Sequence, residues 1–146
     1  MADTLHCVVA IPTRELFSGE IYYAKIPGAD GSYGVLPGHE MIVATNKSGG
    51  ILTLNLDPEG KEQKQFILYE GAAQVYNDVV TVLGRFGKNV EDIDVAEVRK
   101  SADAMRLKIE EYEKLDDEQH RTALETSRVR LEWYQMQLDY AEGSTN

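Results

Sequence analysis

The residues of this 146-residue chain that could do chemistry are a lone cysteine, three histidines and a glycine-rich segment, GADGSYGVLPGHE, at residues 28–40. A hydrolase or transferase needs a nucleophile, a base and a group that orients the base. His6, His39 and His120 have no such companions in the surrounding sequence, and no spaced set of His, Cys, Asp and Glu predicts a metal site. We therefore expect no active site, no metal and no cofactor.

The glycines of this segment do not predict a phosphate-binding loop. Such a loop ends in Gly-Lys-Ser/Thr and leads into a helix N-terminus, whereas Gly34-Val35-Leu36-Pro37 leads towards another strand. Asp30-Gly31 and the flanking Pro-Gly pairs are turn signals that form tight corners. Two interpretations stay open: ordinary corners of a β domain, or a stiff exposed lobe that presents Tyr33 and His39 to a partner.

Composition excludes several classes of protein. The formal net charge is −10, which argues against nucleic-acid binding because that affinity comes from neutralising phosphates with Lys and Arg. Cys7 lies in an alternating apolar stretch and is expected to be a small core residue, with no internal disulfide. The first residues do not read as a signal peptide, and no apolar run is long enough for a membrane span, so we expect no direct membrane insertion.

The first 90 residues have the pattern of an antiparallel β-sandwich or barrel. Short apolar or alternating runs, rich in Val, Ile and Tyr, are separated by turn signals such as Ser18-Gly19 and Asn77-Asp78. The predicted strands are 5–11, 20–26, 41–45, 51–56, 65–69, 72–76 and 79–83. No segment of helical period interrupts them, which disfavours a parallel βαβ sheet.

Residues 91–146 change to a helical pattern, with no proline or glycine from Glu91 to Glu142. Two narrow apolar stripes of heptad spacing predict two helices that pair with each other. Asp116 or Asp117 is placed to cap the second helix, so the short connection predicts an antiparallel hairpin. The stripes consist of Val95, Val98, Ala102, Met105, Ile109 and Tyr112, and of His120, Leu124, Ser127, Leu131, Tyr134, Leu138 and Ala141.

Several of these motifs together resemble the ε subunit of bacterial F-type ATP synthase. The resemblance rests on Phe17-Ser18-Gly19, on the run from Pro27 to His39, and on Tyr69–Val75 followed by Val79–Leu83. It extends in order and spacing over nearly the whole chain. It implies an α+β protein: a sandwich of about ten antiparallel strands over residues 1–90, and a mobile regulatory two-helix hairpin over residues 91–146.

The resemblance further implies a non-catalytic subunit of the central stalk of a proton- or sodium-translocating synthase. The sandwich would bind the γ subunit and the ring of c subunits and couple their rotation to ATP synthesis. The extended hairpin would reach the β and α subunits and inhibit ATP hydrolysis. The expected location is the cytoplasmic face of the bacterial plasma membrane, as a peripheral part of the complex. Carried over by position, the contact residues are Asp30, Gly31, Ser32, Tyr33 and His39.

Some members of the family bind ATP through an [IL]-D-x-x-R-A motif at the start of the first helix. The matching residues here are Ile93 and Asp94, with Arg99 the nearest basic residue beyond them. Glu97 and Val98 replace the Arg-Ala pair, and a carboxylate in place of a cation disfavours phosphate binding. We therefore expect no bound ATP.

Basic residues on the second helix carry the inhibitory contact in the family. The corresponding candidates are Arg121, Arg128 and Arg130, within a segment that holds six acids from residue 117 onwards. Two alternatives to a stalk subunit remain: a nucleotide-sensing switch that acts through hairpin closure, and a β-sandwich enzyme with its site around His39.

Overall fold

A computed structural model describes residues 3–29, 31–38 and 49–143, together with the backbone of residues 42–46. The chain divides into two compact units, Met1–Asp92 and Ile93–Asn146. The first contains every strand of the described residues and a closing 3-10 turn, Val90–Asp92. The second contains two α-helices joined by another 3-10 turn, Glu118–His120.

Eight strands, numbered β1 to β8 in chain order, form one hydrogen-bonded network with the path β2-β1-β8-β7-β6-β3-β4, and β5 pairs with β7. The strands are Leu5–Ile11, Arg14–Ile21, Tyr23–Ile26, Tyr33–Val35, Ile42–Asn46, Gly50–Asn55, Gln63–Tyr76 and Val79–Asn89.

The two longest strands, β7 and β8, take part in both layers of a sandwich. The first half of β7 pairs with β6 and its second half with β5, while β8 follows it along its whole length. Glu70 marks the change of layer with a φ of 46°, and its carboxylate accepts a hydrogen bond from Arg85 at 3.2 Å. Counting the halves of β7 and β8 separately gives ten strand segments, so the predicted sandwich and its strand number are confirmed.

Two details of the predicted sheet are wrong. β1 pairs with β8 in parallel, so the sandwich is not purely antiparallel. Ser18-Gly19 is not a turn: both residues lie inside β2, where they pair with Val8 and Cys7. The turn signal failed there because the pairing of β1 with β2 supplies the backbone hydrogen bonds that a turn would otherwise provide.

The core of the sandwich is built from both layers. Alternate residues of β1, β8 and the second half of β7 face alternate residues of β3, β6 and the first half of β7. Its fully buried members include Leu5, Cys7, Val9, Ile21, Ala24, Val35, Leu52, Leu54, Val75 and Val80. Burial raises the pKa of the Cys7 thiol to about 12, so this cysteine is an inert core residue, as predicted.

The second unit is the predicted hairpin, with α1 spanning Val95–Leu115 and α2 spanning Arg121–Ala141. Val98, Ala102 and Leu138 are buried between the helices, and Ile93, Leu131 and Tyr134 pack against them. The first predicted position of the α1 stripe, Val95, is instead 36% exposed. Ile93 takes its place in the packing because α1 begins only at Val95.

Candidate functional site

The segment that the sequence singled out, residues 27–38, leaves β3, includes β4 and ends before β5; it is called here the glycine segment. Gly28 and Gly31 exchange two backbone hydrogen bonds, of 3.1 and 3.2 Å, which close its first corner. Gly31 has a φ of +121°, a conformation that strains any residue with a side chain. Gly31 and Ser32 are exposed at this corner. Asp30 and His39, which were also predicted to contact the ring, lie outside the described residues.

Tyr33 points away from the exposed corner and packs against the sandwich core. Desolvation raises the pKa of its phenol, and its hydroxyl has no hydrogen-bond partner among the residues that the structure describes. Its ring also lies 3.3 Å from the position that a Cβ on Gly28 would occupy. Tyr33 therefore supports the corner from below, and Gly31 and Ser32 form its surface.

The far end of the glycine segment is fixed to a different hairpin. The backbone N–H of Gly38, whose φ is +85°, donates to the Oδ1 of Asp78 at 2.7 Å. Asp78 belongs to the two-residue turn between β7 and β8, where Asn77 and Asp78 have φ values of 53° and 63°. Such a pair of left-handed residues is the type I′ geometry that suits a two-residue β-hairpin.

A second exposed feature was not predicted from the sequence. Tyr76, Val79 and Leu83 are 57%, 40% and 50% exposed and lie on the outward side of β7 and β8; we call them the outer face. The signal was present in Val79-Val80-Thr81-Val82-Leu83, where both alternating sets of residues are apolar. A strand with two apolar sides normally covers both of them.

The outer face continues onto a polar border formed by β1 and β2. Val79 pairs with His6, which in turn pairs with Glu20. His6 Nδ1 lies 2.8 Å from a carboxylate oxygen of Glu20, and this hydrogen bond lowers the pKa of Glu20. An apolar centre with a charged border is typical of a protein interface.

The depression beside the outer face is too small to be a ligand pocket. Ala72, Leu83 and Pro27 are among its lining residues, and its volume is about 10 Å³. A single water needs roughly that much space. This end of the sandwich therefore offers a surface rather than a cavity.

The residues that matched the ATP-binding motif have structural roles at the start of α1. Asp94 is the N-cap, and its Oδ1 accepts a hydrogen bond from the N–H of Glu97 at 3.2 Å. Ile93 precedes the cap and packs against the cluster that contains Val98, the arrangement called a hydrophobic staple. Arg99 points instead to Glu142 at the end of α2, at 3.4 Å.

The predicted inhibitory arginines lie on α2. Arg128 donates to Glu113 of α1 at 2.9 Å, so the closed hairpin already holds its guanidinium. Arg121 and Arg128 line an open polar cleft of about 420 Å³ at the hairpin turn, together with several acidic side chains. Arg130 is exposed two residues beyond Arg128.

The same turn carries a histidine–aspartate pair that the sequence did not indicate. Asp117 caps the 3-10 turn, and its Oδ1 accepts from the N–H of His120 at 2.9 Å and lies 2.7 Å from the His120 Nδ1. The hydrogen bond from His120 lowers the pKa of Asp117. The His120 ring stacks on Tyr112 of α1, with 5.7 Å between centroids. The prediction that Asp116 or Asp117 caps the second helix is wrong: Asp117 caps the 3-10 turn, and Asp116 ends α1 with a φ of 42°. The N-cap position of α2 is His120, which makes no side-chain capping hydrogen bond, because the 3-10 turn separates the aspartates from the start of α2.

The described residues contain no group of three or more His, Cys, Asp and Glu side chains that could hold a metal ion. No helix in the described part of the chain is both long and apolar enough to span a membrane. The functional features are thus a stiff exposed corner, an apolar outer face and a hairpin with exposed arginines. Together they define a protein that works by binding other proteins.

Comparison with known proteins identifies the family. The family model described as the β-sandwich domain of the ATP synthase delta/epsilon chain matches residues 4–86. An ATP synthase epsilon chain from Hyphomonas neptunium is 32% identical over 143 residues, which cover 98% of this chain and 95% of that protein. Another, from Nitratidesulfovibrio vulgaris, is 30% identical over 132 residues, which cover 90% and 96%. The chain belongs to the family of ATP synthase delta/epsilon chains, whose members are accessory and not catalytic subunits.

A solved structure supports the same fold. A chain in the cryo-EM structure of the Euglena gracilis mitochondrial ATP synthase, which contains OSCP, F1 and the c-ring, superposes with a TM-score of 0.65. It is 23% identical, and the match covers 97% of this chain and 82% of that chain.

Proposed function

We propose that this chain couples rotation of the c-ring to rotation of the γ subunit, as a peripheral part of the complex at the cytoplasmic face of the plasma membrane. The observation that carries the proposal is the glycine segment, which is fixed to the sandwich at both ends while Gly31 and Ser32 project outwards. A surface that transmits torque has to keep its shape under load. Two fixed corners meet that requirement with a short stretch of chain.

The contact residues proposed for the ring are Gly31 and Ser32, together with Asp30 and His39 from outside the described residues. Tyr33 contributes as the partly buried support of the corner. Ser32 carries no charge, so the contact with the ring relies on backbone shape and hydrogen bonding at this position.

A disulfide cross-link tests the proposed ring contact. In the reconstituted ATP synthase, Ser32→Cys should form a disulfide with a cysteine placed in the exposed loop of the c subunit. The matched control is Glu59→Cys, an exposed position in the turn between β6 and β7. The turn that carries Glu59 and the glycine segment lie at opposite ends of β3. The turn follows Asn55, which pairs with Tyr23 at the start of β3, and the glycine segment follows the end of β3. Cys7 adds no background because it is buried and its pKa is about 12.

The proposed γ-binding surface is the outer face. Tyr76, Val79 and Leu83 leave a row of large apolar side chains partly open to solvent, and the Glu20–His6 pair lies beside it. Covering such a row supplies the apolar centre that a stable interface needs. The outer face and the glycine segment meet at the β7–β8 turn, so one end of the sandwich can contact γ and the ring at once.

We also propose that the hairpin regulates ATP hydrolysis by opening and presenting its arginines to the β and α subunits. Its own apolar core is small, with three buried members in the cluster between the helices. Polar contacts at the surface between the helices include Arg99 to Glu142, Arg106 to Gln135 and Arg128 to Glu113. Exposed ion pairs contribute about 0.2–1 kcal/mol each, so these surface contacts add little to the free energy of opening the hairpin.

Two substitutions and a truncation test the regulatory proposal. Removing residues 93–146, the second unit, should raise ATP hydrolysis by the reconstituted complex. Because Glu113 holds Arg128 in the closed hairpin, Glu113→Gln should increase inhibition and Arg128→Gln should decrease it. Equal hydrolysis rates for the full-length and truncated chains would exclude an inhibitory hairpin.

A further inference from the structure

Asp78, in the turn between β7 and β8, is hydrogen-bonded to two other parts of the sandwich. Its side chain accepts the N–H of Gly38 at 2.7 Å, which ties together residues 40 positions apart in the chain. Its main-chain carbonyl accepts the N–H of His6 at 2.9 Å, at the start of β1. The bond to His6 continues the parallel pairing of β1 with β8, whereas the bond to Gly38 joins the turn to a segment outside that ladder.

Among the described residues, the hydrogen-bond partner recorded for the Gly38 end of the glycine segment is the Asp78 side chain. At the first corner, Gly28 and Gly31 share two backbone hydrogen bonds and Tyr33 packs underneath. Gly38 is exposed, and glycine is the residue with the most conformational freedom to lose. A hydrogen bond from a backbone N–H to an ionised carboxylate is roughly twice as strong as one between neutral groups. The Asp78 carboxylate is therefore well suited to hold this end.

We propose that Asp78 is a positioning residue that fixes the Gly38 end of the glycine segment and thereby sets the geometry of the ring contact. The inference rests on the proposed function of that segment. It adds a residue from a distant hairpin, which the sequence marked only as part of a turn. Load on the ring contact would pass from Gly38 through Asp78 into β7 and β8, the longest strands of the sandwich.

Asn77 and Asp78 both have left-handed backbone, so a glycine can replace either of them. Comparing the two glycine variants separates the loss of the Asp78 side chain from the effect of placing a glycine in the turn. Asp78→Gly keeps a residue that favours positive φ and removes the side chain together with its carboxylate. Asn77→Gly makes the same backbone change one residue earlier and leaves the carboxylate in place, so it is the matched control. Asp78→Asn retains an acceptor oxygen and tolerance of positive φ, and it serves as the conservative variant.

The first measurement is amide hydrogen exchange of Gly38 in the full-length chain. Asp78→Gly should increase the Gly38 exchange rate about tenfold, the effect of losing one charge-assisted hydrogen bond. Asn77→Gly and Asp78→Asn should stay within about threefold of the unsubstituted chain. A Gly38 exchange rate that is the same in Asp78→Gly and Asn77→Gly would overturn the assignment.

The second measurement is coupling in the reconstituted complex, taken as ion pumping per ATP hydrolysed. Asp78→Gly should lower this ratio, Asp78→Asn should restore it, and Asn77→Gly should leave it unchanged. A normal ratio in Asp78→Gly despite faster Gly38 exchange would overturn the role of Asp78 in coupling. The failure of the wider proposal is distinguishable, because it would remove the Ser32→Cys cross-link to the ring in a chain that still carries Asp78.

Discussion

Replacing Leu83 with Asp is expected to weaken binding of the γ subunit by about 30- to 1600-fold. Leu83 is 50% exposed, so about half of the free energy of burying a leucine, roughly 1–1.5 kcal/mol, remains to be gained at an interface. Placing a polar group in the covered centre costs about 1–3 kcal/mol more. The sum of about 2–4.5 kcal/mol gives the stated range, since about 1.4 kcal/mol corresponds to tenfold in affinity.

The assay is calorimetric titration of the full-length chain into γ, with Leu83→Thr as an intermediate variant. Leu83→Thr removes most of the apolar area but keeps a residue that favours strand structure. It should therefore weaken binding of γ less than Leu83→Asp does. Thr13→Asp, in the exposed β1–β2 turn three residues beyond Ala10, the strand partner of Leu83, makes the same change of charge outside the three residues of the outer face. Thermal unfolding of each variant separates lost binding from lost folding. Equal affinities of Leu83→Asp and Thr13→Asp for γ would refute the assignment of the outer face.

Two further predictions concern the hairpin. Asp94→Ala should lower the free energy of unfolding of the second unit by about 1 kcal/mol in chemical denaturation, because it removes the N-cap of α1. Calorimetric titration with ATP and Mg²⁺ should show no binding heat before or after this substitution. Saturable ATP binding that Asp94→Ala abolishes would favour the nucleotide-sensing switch instead. His120→Ala should raise the pKa of Asp117 towards its ordinary value of 3.8, as followed by NMR titration of the carboxyl carbon. Since the folded-state pKa of Asp117 is depressed, its contribution to the turn is present above that ordinary value and is lost as the pH falls below it. An Asp117 titration that is identical with and without His120 would contradict the pair.

The sequence was most informative where a pattern depends on neighbours in the chain. Alternation placed the core residues of β1, and heptad spacing placed Val98, Ala102 and Leu138 at the helix contact. The Asn77-Asp78 turn signal was right for the same reason: left-handed residues are a local property.

Features that depend on distant partners could not be predicted in the same way. The parallel pairing of β1 with β8 joins the first and the last strand of the sandwich in chain order. Ser18-Gly19 is held in an extended conformation by pairing with β1. Whether Tyr33 faces a partner or the core is decided by the packing of both layers beneath it. The hydrogen bond from Gly38 to Asp78 and that from Arg128 to Glu113 likewise require the assembled fold.

The proposed coupling role depends most directly on the contact between the glycine segment and the c-ring. Its direct measurement is the disulfide yield of Ser32→Cys with a cysteine in the exposed loop of the c subunit, in the reconstituted complex under oxidising conditions. We predict a high yield for Ser32→Cys and none for Glu59→Cys. Equal yields at the two positions, or a cross-link from Glu59→Cys alone, would contradict the account.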